Sequence, residues 1–164
     1  MTRGTFVYVE NDLCYQSTEF NGDMYLDGYG QDAVLALSQV KNDDDFIKAV
    51  VEFNKDHHNY PVDEVERYFE TDVKYLHNLK QADYFSVWFS DYLYLINLGK
   101  AFTLTDVENH SIKIKENQIF ILNFGKFMAS FNQTEDGLEL ALTTERFESE
   151  IQHAIKLKEK LLNY

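Results

Sequence analysis

The chain has 164 residues, 45% of them hydrophobic and 15% aromatic. That suits a single domain spanning 1–164 with a proper core, and it excludes extended disorder. The 28 Asp and Glu outweigh the 15 Lys and Arg, a formal charge of −13, which excludes passive binding to free DNA backbone or to an anionic membrane surface.

Cys14 is the only cysteine, so no internal disulfide forms. The opening MTRGTFVYVE has no long apolar run, and the reading expects a reducing cytoplasm, that of a host cell. No stretch approaches the ~20 apolar residues that span a bilayer.

Residues 4–9 (GTFVYV) and 13–20 (LCYQSTEF) are rich in β-branched and aromatic types. They flank Asn11-Asp12 and predict an antiparallel hairpin. EFNGDMYLDGYG (19–30) follows. Its Asn21-Gly22 and Asp27-Gly28 pairs predict turns with positive φ, and Asp27 is a candidate cap for the next helix. Residues 31–40 predict a helix on Val34, Leu37 and Val40. Asn42 predicts the N-cap of a second helix, with a stripe of Phe46, Ile47, Val50 and Val51. The run KDHHNYP ends it. Pro61 opens a third helix, with Val62, Val65, Phe69, Val73 and Leu76 on one face.

From residue 84, FSVWF, DYLYLIN, AFTLT, SIKIK, QIFILN and FMASF predict an antiparallel meander, with Leu138–Leu142 as a further strand. The last segment, TTERFESEIQHAIKLKEKLLNY, predicts a closing helix. Thr144 is its N-cap, with Glu145, Glu148 and Glu150 at its start and Lys156, Lys158 and Lys160 towards its end. The expected class is α+β: an N-terminal β-hairpin, about three helices, an antiparallel β-meander and a C-terminal helix.

Chemistry concentrates in 19–30. An EF-hand fails there: counting from Asp23 puts Tyr25 at position 3 and Val34 at position 12. Glu19, Asp23 and Asp27 can supply paired carboxylates for acid–base work. Arg3, just ahead of the first strand, can be held by Asp23 or Asp27, or can face a phosphate. Arg3, Asp23 and Asp27 are therefore the catalytic candidates, against the simpler reading of a tight connection. His57 and His58 are adjacent rather than spaced as HxxxH, and Cys14 has no CxxC mate. No metal and no cofactor is expected, and KDHHNYP reads as a polar helix–helix connection. Trp88, Tyr92 and Tyr94 lack interleaved Lys or Arg, so they predict packing rather than base stacking. Asp43, Asp44 and Asp45 form an acidic run that can mimic spaced phosphates or remain a solvated helix face. GxSxG, Walker A, GxGxxG and HExxH are absent.

Thr2-Arg3-Gly4 together with FNGDMYLDGYG resembles the N-terminal region of small phage and mobile-element proteins. Within that group, size, acidity and these first thirty residues resemble type II anti-CRISPR proteins of Gram-positive hosts. The resemblance implies an intracellular anti-defence protein whose partner is a CRISPR nuclease or its guide RNA complex. Such a protein would meet the basic channel of the nuclease and interfere with guide RNA loading or integrity. Asn21, Asp23, Tyr25, Asp27 and Tyr29 match the shared pattern and become candidate partner-binding residues with Asp43, Asp44 and Asp45. The expectation is binding without intrinsic activity, with promotion of guide RNA cleavage as its catalytic variant. Two alternatives stand beside it: a small hydrolase or nuclease sited on the acidic loop, and a non-catalytic acidic interaction domain of another pathway. Oligomeric state is open.

Overall fold

The computed structural model describes residues 2–67, 69–71 and 91–164. The strands are β1 (Arg3–Glu10), β2 (Leu13–Gln16), β3 (Phe20–Asn21), β4 (Glu70–Thr71), β5 (Tyr92–Asn97), β6 (Phe102–Thr105), β7 (Ser111–Ile114), β8 (Gln118–Asn123), β9 (Lys126–Gln133) and β10 (Leu138–Thr143). The helices are α1 (Gln31–Leu37), α2 (Asp43–His57), α3 (Val62–Arg67), α4 (Glu145–His153) and α5 (Ile155–Lys160). The fold is α+β, with a mostly antiparallel sheet in the order β10-β9-β8-β5-β1-β2-β4 and β3 also paired to β1.

The predicted hairpin is β1–β2, with Glu10 opposite Leu13 and Asn11 in the left-handed region at φ 54°. β1 then pairs with β5 in parallel, Gly4 opposite Tyr92 through Val9 opposite Asn97. This central position buries both faces of β1. Phe6 and Tyr8 enter one core with α1, α2 and the C-terminal helices, while Val7 and Val9 enter a second. Burial on both sides is why GTFVYV reads as a continuous apolar run rather than an alternation.

The meander divides. β5 pairs directly with β8, and AFTLT and SIKIK leave the sheet as a separate β6–β7 hairpin. Asn97 enforces the exit. Its buried amide donates to the carbonyls of Lys100 and Lys115, and its Oδ1 accepts the Gly99 N–H at 3.0 Å. The hairpin covers the second face, placing Leu104 and Ile114 against the cluster of Val7, Leu93, Leu95 and Phe120. In β9, Met128 is the extra residue of a bulge, since Ile121 faces Ala129 and Leu122 faces Phe127. The bulge sends Phe127 to the second core and Met128 to the first.

The third helix is shorter than predicted. It ends at Arg67, and Glu70–Thr71 pair instead with Tyr15–Gln16. That pairing satisfies the outer backbone of β2, which a continued helix would leave open. Val73, Leu76, His77, the FSVWF segment and Trp88 lie outside the described residues.

The predicted closing helix is two helices, broken at Ala154 (φ −80°, ψ 72°). Gln31 Oε1 accepts the Lys156 N–H at 2.9 Å, giving a partner to an amide of the new first turn. Thr144 occupies the N-cap position in extended geometry, yet its hydroxyl makes no capping bond and is buried without a partner among the described residues. Asn42 caps α2 as predicted, accepting the Asp45 N–H at 2.9 Å. Among the described residues, no helix is long and apolar enough to cross a membrane.

Candidate functional site

The stretch 19–30 is built as a rigid bridge from sheet to helix. Phe20 and Asn21 pair with Gly4 and Arg3, and the Gly22 N–H donates to Thr2 O at 2.9 Å. Gly22 (φ 126°) and Asp23 (φ 56°) carry the positive φ, one residue later than the Asn21-Gly22 pair predicts, because Asn21 is held in β3. Met24 is buried, and a π turn over Leu26–Gly30, kinked at the non-helical Gly28 (φ −101°, ψ −129°), leads into α1.

Three contacts fix this turn. The Leu26 N–H donates to Glu150 Oε1 at 2.7 Å, and the Tyr92 hydroxyl donates to the same oxygen at 2.7 Å. The Tyr94 hydroxyl donates to Met24 O at 2.5 Å. Close packing follows: a Cβ at Gly30 would lie 1.9 Å from Tyr94 Oη, and one at Gly28 would lie 2.7 Å from Asp23 O. Gly28 has φ −101°, so its glycine serves this close approach and not the left-handed turn expected of Asp27-Gly28. Asp27 also makes no side-chain cap. It sits inside the π turn, and its carbonyl accepts from Gln31 Nε2 at 3.1 Å. Burial, with Glu150 next to it, raises the Tyr92 phenol far above its ordinary pKa, and burial does the same for Tyr94.

What remains outside is Asn21, Asp23, Tyr25 and Asp27, all exposed. The Tyr25 hydroxyl reaches Asp23 Oδ1 at 3.4 Å. The Asp23 charge, with lesser help from Asp27, raises the Tyr25 pKa. Arg3 does not join Asp23 or Asp27. The register Arg3 opposite Asn21 lays its guanidinium along β3, where Nη1 stands 3.6 Å from Glu19 Oε1.

Tyr29 turns inward. It stacks on His57 at 4.3 Å between ring centres and meets His58 edge-on at 5.9 Å. His57 Nε2 lies 3.3 Å from Asp32 Oδ2. His58 is packed among Phe20, Phe53 and Tyr60, and among the described residues neither ring nitrogen has a hydrogen-bond partner. Desolvation lowers its pKa, and the nearby backbone of Gly22 offsets part of that without a properly formed hydrogen bond. The histidine pair is thus the seat of the loop, beyond the polar connection expected of it. The signal was present: Val50, Phe53 and His57 continue the inward stripe of α2 at spacings of three and four.

The acidic run at the start of α2 is partly structural. Asp45 accepts the Lys41 N–H at 3.0 Å, reciprocating the Asn42 cap. Asp43 accepts from the Asp44 N–H at 2.9 Å and from the Tyr15 hydroxyl at 3.5 Å, which leaves Asp44 as the exposed member.

Two features had no forecast. Between α1 and α2, with Lys156 of α5 at its rim, lies a groove of ≈ 500 Å³. Elsewhere, Asp106, Glu108 and His110 bring potential metal ligands within 4.8 Å of one another. The Asp106 carboxylate, however, already accepts the N–H groups of Glu108 (3.0 Å), His110 (2.9 Å) and Phe127 (3.0 Å). Burial would raise its pKa, but these donors and His110 hold it below the ordinary value. The group anchors the β6–β7 loop to β9.

Charge is divided unevenly. Residues 1–72 hold 16 of the 28 acidic side chains and five of the 15 basic ones, so they carry 11 of the 13 net negative charges. The chain matches no protein-family model, no curated protein and no solved structure.

Proposed function

We propose that this chain is an anti-defence protein that binds an RNA-guided type II CRISPR nuclease and prevents productive use of its guide RNA. The observation carrying this reading is the pre-organised loop. Its backbone is tied inward through Glu150, Tyr94 and Tyr29, while Asp23, Tyr25 and Asp27 stand outside on a fixed frame. A rigid acidic and aromatic surface loses little entropy on binding and suits a channel lined with Lys and Arg. The concentration of negative charge in residues 1–72 supports the same direction of docking. The setting is the host cytoplasm.

In the alternative of a hydrolase or nuclease on this loop, Arg3 would hold a phosphate only by turning from Glu19, 3.6 Å away, towards Asp23 and Asp27. The test follows labelled guide RNA on native and denaturing gels, with a type II nuclease and the protein added in turn. Displacement of intact guide, or a supershifted complex that leaves target uncut, is the expected result. The variant Asp23→Lys/Asp27→Lys should lose that effect while melting like the parent. A shortened guide RNA would transfer the reading to chemistry, and unchanged gels would overturn it.

A further inference from the structure

Among the described residues β10 is the last strand of the sheet on its side, so no strand pairs with its outer edge. The segment that follows α5 lies along that edge instead. Leu161 forms a parallel bridge with Leu138, and the Leu162 N–H donates to Leu138 O at 2.9 Å. Asn163 then does with a side chain what a strand does with its backbone. Its Oδ1 accepts the Leu140 N–H and its Nδ2 donates to Leu140 O, both at 3.0 Å. The outward groups of Leu138 and Leu140 are thus aligned for a strand. Beyond Leu140 the register shifts at Ala141, and this bulge ends the regular edge. The cover over Leu138 and Leu140 is held lightly. Leu161 is anchored in the core at 7% exposed, but Leu162 is 53% exposed and both Asn163 bonds are open to water. Tyr164 adds an exposed bond from Gln152 and lies under the Lys158 ammonium at 5.6 Å. Segments held by exposed hydrogen bonds open readily.

We infer that Leu162–Tyr164 is a strap, and that an extended segment of a partner protein displaces it and pairs with β10, placing a Lys or Arg beside Glu139. Glu139 lies between Leu138 and Leu140, opposite Asn132 of β9, and has no ion-pair partner among the described residues. Leu138 and Leu140 pack on the first core, so Glu139 points to the other face of the strand. A second copy of the chain fits worse, because antiparallel pairing through Leu138 and Leu140 sets Glu139 against Glu139. A basic residue at that place turns the same contact into an attraction. An incoming backbone also replaces one side-chain amide with a continuous ladder. The edge is separate from the exposed loop 19–30, so the strap does not depend on the proposed function.

The test uses fluorescence anisotropy of a labelled seven-residue peptide with a central lysine between two valines. Leu162→Pro/Asn163→Ala removes all three hydrogen bonds of the strap. Leu161, with φ −80° and ψ 128°, already has the extended backbone that a following proline requires, so it keeps its place in the core. This opened protein should bind the peptide at least about tenfold more tightly than the parent, the factor expected when two or more exposed hydrogen bonds stop competing. Glu139→Lys in the opened background should reverse the preference, so that a glutamate-centred peptide binds better than the lysine-centred one. Methylating alternate backbone nitrogens of the peptide should abolish binding, because strand pairing needs those N–H groups. Thermal melts establish that the variants are folded, and Asn163→Ala alone, which removes two of the three bonds, serves if the proline variant is not. Equal binding by parent and opened protein, no binding by either, or undiminished binding of the methylated peptide would overturn the inference. So would an unchanged charge preference in Glu139→Lys. Self-association of the opened protein in analytical ultracentrifugation without peptide would overturn the basic strand and make a second copy the occupant.

Discussion

Glu150, in the first of the two C-terminal helices, accepts the backbone N–H of Leu26 at 2.7 Å across 124 residues of sequence. One carboxylate oxygen thereby holds the start of the π turn and the Tyr92 hydroxyl together. Glu150→Ala should lower stability by about 2 kcal/mol, because a backbone donor and a phenol lose their partner. Urea denaturation measures the loss. Glu150→Gln, which keeps an acceptor, should recover most of it. Equal loss in both variants would show that the charge, not the hydrogen bonding, matters.

Gly30 is where loop and sheet come closest. Gly30→Ala places a methyl group into Tyr94 Oη and against the carbonyl oxygens of Met24 and Tyr25. The expected cost is about 3 kcal/mol, at the upper end for overpacking, because two of the three neighbours are backbone. Adding Tyr94→Phe should restore part of it. A Gly30→Ala protein as stable as the parent would show that the turn has room to shift.

His58 should make stability depend on pH. Its folded pKa lies below the ordinary 6.5 because burial opposes the charge. The unfolded chain therefore binds the proton first as pH falls through about 6.5, and stability declines until the folded pKa is passed. The groups facing it are His57, Asp23, Tyr29 and Tyr60. The difference in melting temperature between the parent and His58→Phe, followed from pH 8 to pH 5, isolates its share. A difference that stays constant over that range would remove His58 as the source.

Asp106 gives a dependence of the same sign in a lower pH window. Its pKa is held below the ordinary 3.8, so its contribution is complete above that value and disappears as pH falls through the folded pKa. Asp106→Ala leaves three N–H groups without acceptors and should cost about 3 kcal/mol or more. Asp106→Asn, with one oxygen retained, should cost less. Hydrogen exchange at Glu108, His110 and Phe127 gives the local readout, and unchanged protection there would contradict the anchoring role.

The sequence by itself determined the α+β class, the β1–β2 hairpin, the Asn42 cap and the amphipathic stripe of α2. Each depends on contacts within a few residues, so composition and period carry the information. The positive φ at Gly22 was legible for the same reason, though the turn falls on Gly22 and Asp23 and not on Asn21 and Gly22. Only the tertiary structure decided the parallel pairing of β1 with β5, the departure of β6–β7 from the meander and the break at Ala154. Those follow from Asn97, Gln31 and the demand that every buried backbone group find a partner, often across a hundred residues. The candidate site divides along the same line. Asp23, Tyr25 and Asp27 were visible as a polar, Gly-rich loop. Glu150 as its clamp, His57 and His58 as its seat, Glu19 as the partner of Arg3, and the groove beside Asp32 were not, because each joins side chains that only folding brings together.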